Sequence, residues 1–206
     1  MLNDIKWLFF DVGSTLVDET ECYNHRIRDA IAGTDITFEE FNEKRLYFSK
    51  QNLKGDIEAL RYFGLAKTPW HHEDEKLYKD SENILKILCE KGYRIGVIAN
   101  QSAGTEKRLE SCGLMKYIQL VVASAEEGVA KPDKRIFDIA LKRAGCRPSE
   151  AVMIGDRVDN DIIPAKEMGM MTIWVRQGLG KYWTISDESE KADFTVDNLS
   201  ELLDIF

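Results

Sequence analysis

Short runs of consecutive apolar residues recur along this chain, with room for a helix between one run and the next. Most runs are four or five residues long and rich in Val and Ile, which is typical of strands covered on both faces. The predicted strands are Trp7–Phe10, Ile95–Ala99, Leu120–Ala123, Ala151–Ile154, Met171–Val175 and the less apolar Phe194–Val196. This alternation predicts an α/β fold, a doubly wound, Rossmann-like parallel sheet with helices on both faces.

The segments between the runs have helical periodicity and recognisable ends. One predicted helix is capped by Asp80 or Ser81 and ends at Gly92. Another is opened by Pro132 and closed by Gly145. These helices are expected to connect successive strands of the sheet.

A different pattern occupies Val17–Tyr78, between the first and second predicted strands. It contains charged amphipathic segments, among them Phe38–Phe48 and Asp56–Phe63, and no convincing buried strand. Thr37 and Glu40 stand at the two positions of a capping box ahead of the first of these segments. We therefore expect the chain to leave the sheet here and return as a helical insert.

Composition narrows the class of protein. The chain has 206 residues, 44% of them hydrophobic, which suffices for one core and a small insert. Its net charge of −8 disfavours binding to nucleic acid or to an anionic membrane, which need a basic surface. We expect a soluble cytoplasmic protein, since no leader pattern or membrane-spanning run is present and the cysteines lack CxxC spacing. Those cysteines are Cys22, Cys89, Cys112 and Cys146.

Charged residues follow the predicted strands at points that a parallel sheet brings together. Asp11 directly follows the first strand, Lys131 follows the third by a loop, and Asp156 and Asp161 follow the fourth. Ligands bind at the carboxyl ends of the strands in such sheets. Gathered carboxylates repel each other unless a cation lies between them, and oxygen ligands beside a lysine suit Mg²⁺ and a phosphate. The sequence therefore predicts a magnesium-dependent enzyme acting on phosphoryl groups.

The order of these motifs resembles that of the haloacid dehalogenase superfamily, in the subgroup with a helical cap inserted after the first strand. The resemblance covers nearly the whole chain, and it rests on four motifs in order. These motifs are Asp11–Leu16, Ile98–Asn100, Ala130–Asp133 with Phe137, and Gly155–Asp161. It implies a Rossmann-like core at 1–16 and 79–206 and a helical cap at 17–78.

The resemblance also implies roles for individual residues. Asp11 would attack phosphorus and form an aspartyl-phosphate, and Lys131 would neutralise the phosphoryl group and Asp11. Mg²⁺ would be held by Asp11, the backbone carbonyl of Gly13 and Asp156, with Asp161 acting through water or on the other ligands. The implied substrate is a small phosphorylated or anionic metabolite, and the oligomeric state is left open.

Two positions depart from the phosphatase pattern of that family. Gly13 stands where an Asp normally protonates the leaving oxygen, a form of help worth about 10²–10⁴ in rate. Ala99 stands where a Ser or Thr hydroxyl normally binds the phosphoryl oxygen, so Asn100 and Ser102 become candidates for that contact, together with Thr15. Alkyl phosphates should then be poor substrates compared with acyl phosphates, unless a residue of the cap supplies the proton.

Other functions are compatible with these departures. Dehalogenases of this superfamily also lack the second Asp, but they do not need the acidic pair Asp156 and Asp161. Relatives that cleave phosphonates use a cap lysine, for which Lys44, Lys50 and Lys54 are candidates, although such lysines usually face solvent. A catalytically impaired protein that binds phosphate or metal in a regulatory role is the non-enzymatic alternative.

Overall fold

A six-stranded parallel sheet forms the centre of the molecule. The computed structural model describes residues 4–206. The strands of the sheet are β1 (Trp7–Phe10), β4 (Arg94–Ala99), β5 (Ile118–Ala123), β6 (Ala151–Gly155), β7 (Met171–Val175) and β8 (Phe194–Val196). Their order across the sheet is β5-β4-β1-β6-β7-β8. All six predicted strands are present, and the predicted α/β fold class is confirmed.

Helices cover both faces of this sheet. They are α4 (Ser81–Glu90), α5 (Thr105–Ser111), α6 (Ser124–Glu127), α7 (Lys134–Ala144) and α8 (Ile163–Glu167). The side chains of β1 alternate between the two cores: Phe10 packs with Leu85 of α4 on one face, and Phe9 packs with Phe137 of α7 on the other. Because both faces of β1 are buried, its sequence is an uninterrupted apolar run.

Three helices lie between β1 and β4, as predicted for the insert. They are α1 (Thr20–Ile31), α2 (Phe38–Ser49) and α3 (Gly55–Phe63), and they share a small core of their own that includes Ile27, Phe41, Ala59 and Leu60. The predicted capping box opens α2, where the Thr37 hydroxyl accepts the Glu40 amide and the Glu40 carboxylate accepts the Thr37 amide. We refer to residues 17–78 as the helical insert, and the limits of a separate cap domain stay a prediction.

The structure differs from the sequence analysis in two local details. The insert contains a short antiparallel ribbon, in which β2 (Val17–Asp18) pairs with β3 (Lys76–Leu77) where the chain leaves the core and returns. Two-residue strands are too short to give a recognisable apolar run. Helix α7 begins at Lys134 rather than at Pro132, because the Asp133 carboxylate accepts the Arg135 amide and so caps the helix. Among residues 4–206, no helix combines the length and apolarity needed to cross a bilayer.

Candidate active site

The carboxyl ends of the central strands open into a cavity of about 420 Å³. Asp11 follows β1 and Asp156 follows β6, and these strands are neighbours in the sheet. Lys131 reaches the same point from the loop between α6 and α7, and the helical insert contributes further side chains to the cavity wall. The sheet therefore brings together Asp11 and Asp156, which lie 145 positions apart in sequence.

Lys131 is the electrostatic centre of this site. Its ammonium donates to Asp11 Oδ1 at 2.7 Å, to Asp161 Oδ1 at 2.6 Å and to the Ile98 carbonyl at 2.8 Å. The side chain is only 2% exposed. Burial by itself lowers the pKa of Lys131, but the Asp11 and Asp161 carboxylates outweigh that effect and raise the pKa above its usual value. Lys131 therefore stays charged in this buried position.

Three buried carboxyl groups surround that single ammonium. Asp11, Asp156 and Asp161 can each offer an oxygen such that all three atoms lie within 4.8 Å of one another. Burial, followed by repulsion from Asp11 and Asp161, raises the pKa of Asp156 well above its usual value. Burial likewise raises the pKa of Asp161 to about 6, although Lys131 lowers it. One ammonium does not balance three carboxylates, so the site is suited to a further cation with a preference for oxygen ligands.

Asp161 is already fixed by protein contacts. Its Oδ1 accepts from Lys131, and its Oδ2 accepts the Arg157 backbone amide at 3.0 Å. The Asp156 backbone carbonyl in turn accepts the Trp174 indole N–H at 2.9 Å. Gly180 packs against the same carbonyl, where a Cβ would lie only 2.1 Å from the oxygen. These contacts fix the loop that carries Asp156, and sequence reasoning assigned no role to Trp174 or Gly180.

The loop after Asp11 folds back tightly on itself. The backbone amides of Leu16 and Val17 both donate to the Val12 carbonyl at 2.9 Å, and Ser14 adopts a positive φ of 57°. Gly13 and Ser14 line the cavity. Thr15 is fully buried and does not line the cavity, and its hydroxyl has no hydrogen-bond partner within residues 4–206. A phosphate-binding role for Thr15 stays a prediction.

Asn100 and Ser102, the other predicted phosphate-binding residues, both border the cavity. The Asn100 side chain donates to the Lys131 carbonyl at 2.8 Å and accepts the Lys131 amide at 2.7 Å. It thus holds the backbone of the residue whose ammonium contacts Asp11. Ser102 Oγ lies 3.2 Å from His72 Nε2, at the edge of the helical insert. Ala99 is completely buried and offers no polar side chain.

Glu19 is a site residue that the sequence analysis missed. It lies directly before α1, is 9% exposed and lines the cavity together with Asp11 and Gly13. Burial, then the negative charges of Asp11 and Glu75, raises the pKa of Glu19 to about 8, although Gln101 and Ser14 partly offset this. In the sequence it is one of several acidic residues near the start of a helix, so nothing there distinguished it.

Cationic side chains from the helical insert complete the cavity wall. Arg26, Lys54 and Lys67 line it. The other two candidate cap lysines lie over aromatic rings: Lys44 is 4.5 Å from the centroid of Tyr62, and Lys50 is 6.0 Å from that of Tyr182. The insert therefore brings three cationic side chains to the cavity, beside its own acidic residues Glu19 and Asp56.

Comparison with known proteins agrees with this architecture. The solved structure of a HAD phosphatase from Thermococcus onnurineus superposes with a TM-score of 0.66 over 98% of this chain and 97% of that one, at 24% identity. A glyceraldehyde 3-phosphate phosphatase from Methanocaldococcus jannaschii is 31% identical over 98% of this chain and 96% of its own length. The pyrimidine 5'-nucleotidase YjjG of Escherichia coli is 41% identical over 89% of this chain and 95% of its own.

The family model described as haloacid dehalogenase-like hydrolase matches residues 8–175. This match begins in β1, ends in β7 and so includes the whole helical insert and all the charged residues at the strand ends. With the relatives above, it confirms the resemblance that the four motifs indicated. The chain belongs to the haloacid dehalogenase-like hydrolases, a family of enzymes.

Proposed function

We propose that this protein is a Mg²⁺-dependent phosphohydrolase that acts on a small anionic metabolite through an aspartyl-phosphate at Asp11. The observation that carries the proposal is the contact of Asp11 Oδ1 with the Lys131 ammonium at 2.7 Å, beside Asp156 and at the base of a cavity of about 420 Å³. A carboxylate held there is an oriented nucleophile, and the fixed ammonium suits the negative charge of a phosphoryl group.

The donor set fits a magnesium ion. Asp11, Asp156 and the backbone carbonyl of Gly13 would hold it, with Asp161 orienting them through Lys131 and the Arg157 amide. These are hard oxygen ligands, and the excess of buried carboxylate over ammonium favours a divalent cation. When bound, Mg²⁺ would supply positive charge that screens the phosphoryl oxygens and the nucleophile from each other.

The chain's own residues would perform two displacements. In the first, a carboxylate oxygen of Asp11 attacks phosphorus, the bond from phosphorus to the leaving oxygen breaks, and the aspartyl-phosphate forms. In the second, water attacks phosphorus and the bond to Asp11 breaks, which releases phosphate and restores the carboxylate. Lys131 stabilises the phosphoryl charge in both steps, and Asn100 holds the backbone of Lys131 in place.

Two features support a small phosphorylated substrate. The cavity volume is in the range of metabolite sites, and Arg26, Lys54 and Lys67 line its wall. The relatives are named for glyceraldehyde 3-phosphate and for pyrimidine 5'-nucleotides, both small phosphate esters. A cytoplasmic enzyme without nucleic-acid or membrane partners is in keeping with this substrate class. Dehalogenation is disfavoured, because it gives no role to the buried Asp156 beside Asp11.

The test is hydrolysis of a panel of phosphate esters and acyl phosphates by wild type and Asp11→Asn, prepared in parallel, with Mg²⁺ or with EDTA. We expect wild-type turnover that requires Mg²⁺ and is abolished by Asp11→Asn, while circular dichroism shows an unchanged fold. Asp138→Asn is the matched control, because Asp138 lies on α7 with its side chain 49% exposed and does not line the cavity. Undiminished turnover in a folded Asp11→Asn protein would eliminate the covalent mechanism. If wild type itself showed no turnover, the result would favour the alternative of a protein that binds phosphate or metal without catalysis.

A further inference from the structure

Position 13 has no side chain, but the space for one is filled. A Cβ built on Gly13 would lie 2.4 Å from Glu19 Oε1 and 2.6 Å from both Cδ and Oε2. These separations are far below van der Waals contact, so a side chain at residue 13 and the Glu19 carboxyl in this position exclude each other. Gly13 does not have a positive φ, so its backbone conformation does not require glycine. The nearby obstacle to a side chain is the Glu19 carboxyl.

Glu19 has no evident structural task. Its side chain makes no capping hydrogen bond to α1, although it stands directly before that helix. Among residues 4–206 it forms no ion pair with a Lys, Arg or His, and its side chain accepts only from uncharged groups, the Ser14 hydroxyl at 3.5 Å and the Gln101 side chain. A buried carboxyl that neither caps a helix nor pairs with a cation is costly to the fold. Such a group is most readily explained by chemistry in the cavity that it lines.

We propose that Glu19 is the acid and base catalyst of this enzyme and takes the place of the side chain that position 13 lacks. This inference rests on the proposed phosphohydrolase function. The carboxyl lies where a side chain of residue 13 would begin, on the same cavity wall as Asp11. Glutamate has the chemistry of the missing aspartate, and it reaches the position from the start of the helical insert instead of from the core.

Glu19 gives up one proton in the first step and takes one back in the second. In the first, the Glu19 carboxyl donates its proton to the leaving oxygen while the bond from phosphorus to that oxygen breaks and the Asp11–phosphorus bond forms. In the second, the Glu19 carboxylate takes a proton from the attacking water while the bond between phosphorus and Asp11 breaks. Phosphate leaves, and both carboxyl groups return to their starting protonation states.

This inference changes the substrate preference expected from sequence. Without a general acid, the enzyme should favour acyl phosphates, whose leaving groups need no proton. With Glu19 as the acid, wild type should also cleave alkyl phosphates, and that ability should depend on Glu19.

The experiment compares Glu19→Gln with wild type on an alkyl phosphate and on p-nitrophenyl phosphate, whose leaving group departs without a proton. We expect kcat/KM for the alkyl phosphate to fall by about 10²–10⁴. With p-nitrophenyl phosphate, a burst of one nitrophenolate per enzyme should remain, followed by slow turnover, because water activation is also lost. Glu21→Gln is the matched control, since Glu21 lies in the first turn of α1 with its side chain 51% exposed and does not line the cavity.

A second variant keeps the inference testable if Glu19→Gln is poorly folded. The double substitution Gly13→Asp with Glu19→Ala frees the space at residue 13 and should recover part of the alkyl phosphatase activity, whereas Glu19→Ala alone should not. Wild-type rates for Glu19→Gln on both substrates would overturn the role of Glu19 and leave the proposed function standing. The role of Glu19 would also be overturned if Glu19→Gln slowed the first turnover equally on the alkyl phosphate and on p-nitrophenyl phosphate. Inactivity of wild type itself, with Asp11→Asn indistinguishable from it, would instead overturn the proposed function together with this inference.

Discussion

At the scale of single residues, the site holds three buried carboxyl groups but only one ammonium that pairs with them. Lys131 contacts two carboxylates directly, and Asp156 is a third buried carboxyl group within 4.8 Å of the others. The desolvation of several charges in one place is offset only where partners are close and well oriented. The stability of the metal-free protein should therefore depend strongly on the one ammonium in this cluster.

Substitution of Lys131 by Met tests that dependence. Removing one partner of a buried ion pair typically destabilises a protein by about 3–5 kcal/mol, because charge is left buried and uncompensated. We expect a loss of that order in the free energy of unfolding, measured by urea denaturation in EDTA, and partial recovery with Mg²⁺. Lys134→Met is the control, because the Lys134 side chain is 54% exposed and pairs with Glu167 on the surface. A Lys131→Met protein as stable as wild type in EDTA would contradict this reading of the cluster.

Some site residues could be predicted from sequence and others could not, for a physical reason. Asp11 and Asp156 directly follow buried strands. Because the carboxyl ends of parallel strands lie at the same edge of a sheet, the positions of these residues in the sequence predict that they lie close together. Glu19 enters the site through the path of the chain between β2 and α1, which no periodicity encodes. The absence of a side chain at Gly13 indicates that something is missing, but only the structure identifies the group in its place.

At the scale of elements, capping residues in the sequence predict the boundaries of some helices more accurately than those of others. The capping box of α2 was predicted from Thr37 and Glu40, because its partners are three residues apart and need no tertiary information. Helix α7 begins at Lys134 and not at the predicted Pro132, because the Asp133 side chain accepts the Arg135 backbone amide and caps the helix there. The ribbon of β2 and β3 depends on pairing across the whole insert, and it was therefore not predicted.

The capping box gives a stability prediction for the helical insert. Thr37→Ala should lower the free energy of unfolding by about 1 kcal/mol, the usual cost of losing an N-cap side chain. Glu40→Ala should also destabilise α2, because it removes the acceptor of the Thr37 amide. Glu39→Ala is the control, since Glu39 lies in the same turn and makes no capping contact. Urea denaturation followed by circular dichroism measures all three, and an equal effect of Glu39→Ala and Glu40→Ala would assign the loss to charge at the helix start instead of to capping.

At the scale of the whole molecule, β1 lies between β4 and β6, and the residues that directly follow these three strands, Asp11, Asn100 and Asp156, line the site. An ion pair lies at the opposite end of these strands from the candidate site: the Lys6 ammonium, just before β1, donates to Glu150 Oε1, just before β6, at 2.6 Å. The Lys6 amide also donates to the Glu150 carbonyl at 2.8 Å. These contacts continue the pairing of β1 with β6, whose register runs from Trp7 opposite Ala151 to Phe10 opposite Ile154 and so places Asp11 beside Asp156.

Glu150 makes the stability of this register dependent on pH. The hydrogen bond from Lys6, followed by those from Arg147, lowers the pKa of Glu150 to about 2 from its usual 4.5. A carboxyl group whose pKa is lower in the folded state stabilises the fold above the unfolded pKa, and that contribution disappears as pH falls through the folded value. We therefore expect Glu150→Gln to lower Tm at neutral pH, and the difference from wild type to shrink between about pH 4.5 and pH 2. Thermal unfolding followed by circular dichroism over this range tests the expectation, with Glu90→Gln as the control because the Glu90 side chain is 63% exposed and lies 3.8 Å from Lys86. A Tm difference that stayed constant across the range would show that Glu150 acts through packing and not through its charge.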